Sequence, residues 1–178
     1  MCGVSGIVKS QTTSVEKSTL GIQVGFLGAW IHHEAKLTSS LALRSEFGLD
    51  AGISGGSLRP RTDFVFTPVI TLEPRWYYNF SKREEKSKNT AGNSGNFLSL
   101  KVSAHPDWFT IASDDNLYVV PDLTVVPTWG IRRSIGDHFT FEGGVGLGFR
   151  FISEKNASRY NDDDVLAGNL HLRVGYRF

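Results

Sequence analysis

The segment LALRSEFGLDAGI, Leu41–Ile53, carries two messages on two faces. Leu41, Leu43, Phe47, Leu49, Ala51 and Ile53 fall on one side of an extended strand. Arg44, Glu46 and Asp50 fall on the other, because side chains alternate with period two. A helix would smear these apolar positions around its surface. The segment is therefore a strand with one greasy and one ionic face, and the fold turns on which of the two meets solvent.

Six further segments alternate in the same way. TLGIQVGFLGAWIHH (19–33) puts Leu20, Ile22, Val24, Phe26 and Trp30 on one face. FVFTPVITLEPRWYYNF (64–80) sets Phe66, Ile70, Leu72, Trp76 and Tyr78 against Thr67, Thr71, Glu73 and Arg75. NFLSLKVSAHPDWF (96–109) opposes Leu98, Leu100, Val102 and Trp108 to Ser99, Lys101, Ser103, His105 and Asp107. LYVVPDLTVVPTWGIR (117–132) opposes Leu123, Val125, Trp129 and Ile131 to Asp122, Thr124 and Thr128. FTFEGGVGLGFRF (139–151) opposes Phe139, Phe141, Val145, Leu147, Phe149 and Phe151 to Glu142, glycines and Arg150. HLRVGYRF (171–178) opposes Leu172, Val174, Tyr176 and Phe178 to His171, Arg173, Gly175 and Arg177. The connectors are rich in Gly, Ser, Asn and Asp, which is turn chemistry.

Composition narrows the class. The chain of 178 residues is one domain or two. A net charge of +1 gives no electrostatic case for nucleic acid. No run of about 18 apolar residues exists, so a transmembrane helix is excluded. One cysteine allows no internal disulfide and no cysteine-based metal cluster. No signal peptide is visible in Met1–Thr13, and we expect this start to be truncated or mis-assigned. Residues 1–17 read as an N-terminal segment and 18–178 as the barrel domain.

Segment length decides between the faces. Globular strands average about five or six residues, whereas these run to a dozen or more, near what a tilted strand needs to cross a bilayer. Seven strands with five or more bulky apolar groups each would overfill a small soluble barrel. In a membrane barrel the apolar face meets lipid and the charged face lines the interior. An unpaired interior charge is costly, so the inward set must pair: Arg44, Glu46, Asp50, Glu73, Arg75, Asp122, Glu142, Arg150 and Arg173 supply both signs. Trp30, Trp76, Tyr78, Trp108, Trp129, Tyr176 and Phe178 cluster near strand ends, where interfacial aromatics sit. The reading is an all-β, antiparallel up-and-down transmembrane β-barrel without a wide pore. Its role is structural or one of interaction, with no catalysis and no cofactor. The alternatives are a soluble lipocalin-like carrier of an apolar ligand and a barrel lipid hydrolase.

The stretches PRWYYNFSKR, SGNFLSLK, PTWGIRRSIGDHFTFEGGVGLGFRF and LHLRVGYRF together resemble a small outer-membrane β-barrel family of Gram-negative envelopes. The resemblance implies an outer-membrane location, contact with membrane lipid and lipopolysaccharide, insertion by the barrel-assembly machinery, and a monomer. The last strand resembles the assembly signal of such proteins through Tyr176 and Phe178, although Arg173 holds the usual glycine place and the glycine stands at 175.

Strand parity raises a difficulty. Bacterial single-chain barrels have an even number of strands, and seven are clear here. Splitting Thr19–Leu37 in two would give strands that look too short. The eighth is therefore expected from Met1–Thr13, with Val4, Ile7 and Val8. Ser81–Gly95 reads as a long, solvated hairpin loop.

Candidate chemistry is thin. MCGVSGIV resembles the start of amidotransferases with an N-terminal cysteine nucleophile, but their downstream elements are missing. His32 and His33, adjacent on a strand, point to opposite faces and cannot easily share a metal; they read as an interfacial pair. Ser103, His105 and Asp107 form a Ser-x-His-x-Asp row, which reads as polar lumen wall rather than as a triad. Asp162, Asp163 and Asp164 are a weak candidate for a divalent cation.

Overall fold

A computed structural model describes residues 14–56, 59–112, 121–152 and 165–178. The chain folds into a closed antiparallel β-barrel of eight strands. These are β1 (Ser18–Gly25), β2 (Gly28–Lys36), β3 (Leu41–Gly56), β4 (Arg59–Trp76), β5 (Asn96–His105), β7 (Asp122–Ile135), β8 (Phe139–Ile152) and β9 (Val165–Arg177). The two-residue β6 (Ile111–Ala112) also pairs with β4 and extends the place of β5 in the wall. Each strand pairs with the next, and β1 pairs with β9 to close the ring from Gly21↔Arg177 to Gly25↔Arg173.

The eighth strand arises differently from the expectation. Thr19–Leu37 does split, into β1 and β2 of eight and nine residues, joined at Phe26 and Leu27. The turn carries no Asn-Gly or Asp-Gly signal. Its mark is Gly28, with φ +142°, where a Cβ would lie 2.0 Å from the Leu49 carbonyl oxygen. The start of β1 and the end of β9 therefore lie at the same rim, the near rim, and the parity difficulty disappears. Met1–Thr13 lies outside the described residues.

The hairpin also reverses the inward parity. Odd positions point inward in β1 and even positions in β2, as Gln23↔Trp30 and Thr19↔Glu34 pair across the lumen side. Trp30 is thus buried at 5% exposure and is not an outward interfacial aromatic as expected. His32 is buried and His33 exposed, both within β2, so they are not an interfacial pair.

The wall is inverted relative to a soluble protein. Arg44 and Glu142 are fully buried, while Phe47 is 50% and Leu170 71% exposed. Leu72, Leu98, Leu147, Phe149, Leu172 and Val174 are likewise exposed. Soluble monomers rarely expose contiguous apolar surface on this scale.

The near rim is closed by a plug. Helix α1 (Phe80–Glu85) and a single 3-10 turn (Ala91–Asn93) fill the region expected to be a solvated loop. Tyr77, Phe80 and Phe97 stack with ring centroids 4.9–5.7 Å apart and pack with Val15 and Ala42. Phe97 fits because it lies on Gly130, where a Cβ would come within 2.3 Å of its ring. Glu16 is held to this plug, its N–H donating to Asn93 Oδ1 at 2.8 Å, and to β9, where Arg177 donates to its carboxylate at 2.8 and 2.9 Å.

Candidate functional site

The interior is built by one parity of each strand. Even residues of β2, β3, β7 and β8 and odd residues of β4 and β9 bring four arginines and four glutamates to mid-lumen. Glu142 stands at the hub. Arg75 donates to its two oxygens at 2.8 and 2.9 Å, Arg132 Nε lies 3.0 Å away, and Arg44 lies at 3.4 Å. Glu73 accepts from Arg75 at 2.7 Å and from the Ser99 hydroxyl at 2.6 Å. Glu46 bridges Arg44 and Arg173, the latter at 2.8 Å.

Glu34 joins this network to the plug. It accepts from Arg132 at 2.9 Å and from the Tyr77 hydroxyl at 2.9 Å, and it takes the Asn93 amide as well. Burial and the neighbouring Glu34 carboxylate push the Tyr77 hydroxyl's pKa up, so it stays a donor. The guanidinium of Arg75 stacks over Phe97 and that of Arg173 over Trp30, at 4.2 and 3.8 Å. Four cations face four anions, and each of the eight has an opposite charge within 4.0 Å, which is the condition under which buried charge is tolerated.

Arg44, Glu46, Glu73, Arg75, Glu142 and Arg173 meet in one network, as the alternation predicts. Asp50, Asp122 and Arg150 form a second group towards the far mouth. Asp122 holds Arg150 and accepts from His105 Nδ1 at 2.8 Å; His105 Nε2 lies 3.2 Å from Asp50. Asp50 also accepts the Trp30 indole N–H at 2.7 Å. Sequence reasoning missed Glu34, because the unseen turn put it out of phase. It also passed over Arg132, which shares the parity of Asp122, Thr124 and Thr128.

The serine–histidine row does not assemble. The Ser103 hydroxyl pairs with Thr71 at 2.8 Å, and both His105 nitrogens face aspartates other than Asp107. Among the described residues no three His, Cys, Asp or Glu side chains are placed to hold a metal. Cys2 and Asp162–Asp164 lie outside the described residues.

The outward aromatics fall largely in one belt. Trp76 and Tyr78 approach at 6.0 Å, and the Trp129 indole N–H donates to the Tyr78 hydroxyl at 2.9 Å. Tyr176 contacts Phe139, Phe178 and His138 at 5.1–5.6 Å near the same rim. Trp108 lies apart, beyond β5, with its ring 6.4 Å from Phe47.

Beyond the network the lumen opens into a cavity of about 750 Å³. Trp30, Asp50, Lys101, Ser103, His105 and Arg173 line its inner part. No protein-family model matches the chain, and no curated protein matches it.

Proposed function

We propose that this chain is an integral outer-membrane β-barrel of a Gram-negative envelope, with a filled interior and a structural or interaction role. The observation that carries the reading is the inversion of polarity: ion pairs occupy the axis and large apolar side chains cover the outside. Water would penalise such an outer surface, and hydrocarbon would not. Wall strands of 13–18 residues in β3, β4, β7, β8 and β9 suffice to cross a bilayer when tilted. The aromatic belt of Trp76, Tyr78, Trp129, Tyr176 and Phe178 suits an interface at the near rim. The β1–β9 pairing closes the ring and leaves no sheet edge over the length that those strands pair, as hydrocarbon requires.

The same reading makes the near rim periplasmic, gives Tyr176 and Phe178 to recognition by the barrel-assembly machinery, and places lipopolysaccharide around the far rim. It assigns a monomer and no catalysis. The soluble carrier gains no support from a polar, ion-filled axis.

The test uses vesicles of phosphatidylcholine with bromine-labelled acyl chains, which quench nearby tryptophans. The reading expects strong quenching of Trp76 and Trp129, resistance to alkaline extraction, and a shift in gel mobility on heating. A protein that stays dispersed without detergent and shows no quenching would refute it.

A further inference from the structure

The β1–β2 hairpin is short, and its neighbours are long. β9 pairs with β1 only from Arg173 to Arg177, while β3 pairs with β2 only up to Asp50. Among the described residues, the β1-side edge of β9 from 165 to 172 and the β2-side edge of β3 from 52 on have no strand partner. The wall therefore has a notch above the hairpin. The cavity runs through it, since residues from both faces of β9 border the same space: His171 and Arg173 from inside, Leu170 and Leu172 from outside. The floor of the notch is the hairpin tip, where Phe26 is 85% exposed and Leu27 is exposed beside it. A turn facing water would carry polar residues; this one is apolar, which sets it at hydrocarbon depth.

At the polar end of the cavity one cation, Lys101, has no direct carboxylate contact among the described residues, with Glu46, Glu73 and Asp50 acting on it from farther off. Arg173 is engaged by Glu46, and Asp50 by His105 and Trp30. Lys101 points to the lumen from β5 and lines the cavity, yet among the described residues it has no carboxylate within 4.0 Å. A partly buried ammonium is stabilised by an anion.

We propose that this notch and cavity bind a single-chain anionic amphiphile, a long-chain alkanoate, with its carboxylate on Lys101 and its tail leaving through the notch over Phe26, Leu27, Leu170 and Leu172. The carboxylate would supply the direct contact that Lys101 lacks among the described residues. The volume lies within the roughly 300–1,000 Å³ of small-molecule sites. The inference rests on the membrane reading, because the tail must exit into hydrocarbon.

The experiment uses the full chain with Trp76, Trp108 and Trp129 replaced by Phe, so that Trp30, which lines the cavity, is the sole reporter. It is reconstituted in unlabelled phosphatidylcholine and titrated with a bromine-labelled long-chain fatty acid. Saturable quenching of Trp30 is expected. It should weaken by roughly tenfold or more in Lys101→Met, as loss of a charge-assisted contact implies, and survive in Lys101→Arg. The labelled methyl ester should not saturate. Equal quenching by the ester, an unchanged titration in Lys101→Met, or no saturable quenching of Trp30 would overturn the proposal. Quenching of the outer tryptophans by labelled phosphatidylcholine reports the membrane reading separately, so a silent Trp30 with quenched outer tryptophans defeats the site alone.

Discussion

The two halves of the lumen are built on opposite terms. The near half is full: four arginines and four glutamates interlock around Glu142, and Tyr77, Phe80 and Phe97 close the rim. The far half is open, with a cavity of about 750 Å³, a lysine with no carboxylate within 4.0 Å among the described residues, and a notch in the wall. The near half is organised so that removing any member leaves a stranded charge. The far half has room to lose a member. Stability and ligand access are thus assigned to different ends of one barrel.

The largest predicted effect breaks the near half. Glu142→Gln leaves Arg75 and Arg132 short of a buried counter-charge and should destabilise the barrel by about 3–5 kcal/mol. Reversible urea unfolding in lipid vesicles would measure it. An effect under about 1 kcal/mol would mean that the network is not the core we describe.

Next comes the outer wall midway along the strands. Phe47→Arg places a charge where we assign hydrocarbon and should cost about 2–4 kcal/mol in the same assay. A neutral result would argue for a wet exterior. Gly130→Ala tests the plug more gently. The added methyl meets the Phe97 ring at 2.3 Å, and overpacking of this kind costs typically about 1–3 kcal/mol.

The smallest effect sharpens the contrast from the far side. Lys101→Met removes a cation with no direct carboxylate contact among the described residues and should change stability by less than about 1 kcal/mol. A cost as large as that of Glu142→Gln would put Lys101 inside the packed network and erase the distinction between the halves.

How much of this was legible varied by strand. Where a segment ran unbroken, as Leu41–Ala51 does, a count of two assigned the buried charges and the exposed Phe47 correctly, because β geometry permits no other phase. Arg44, Glu46, Glu73, Arg75, Glu142 and Arg173 followed at once. The count failed where an unmarked turn reset it. Phe26-Leu27 looks like strand, so Trp30 was placed outward and Glu34 overlooked. The plug was hidden for another reason. KREEKSK is solvated in composition, and nothing local announces that Phe80 and Asn93 on either side of it fold back under the barrel.

From the amino-acid order alone came the alternation, the two opposed faces and the matched signs of the inward charges, because these depend on nothing beyond the two-residue period of an extended chain. Only the tertiary structure decided which acid meets which base, where the wall is short, and that among the described residues Lys101 has no direct carboxylate contact. Those depend on register between strands distant in sequence, and on a turn whose residues give no sign of it.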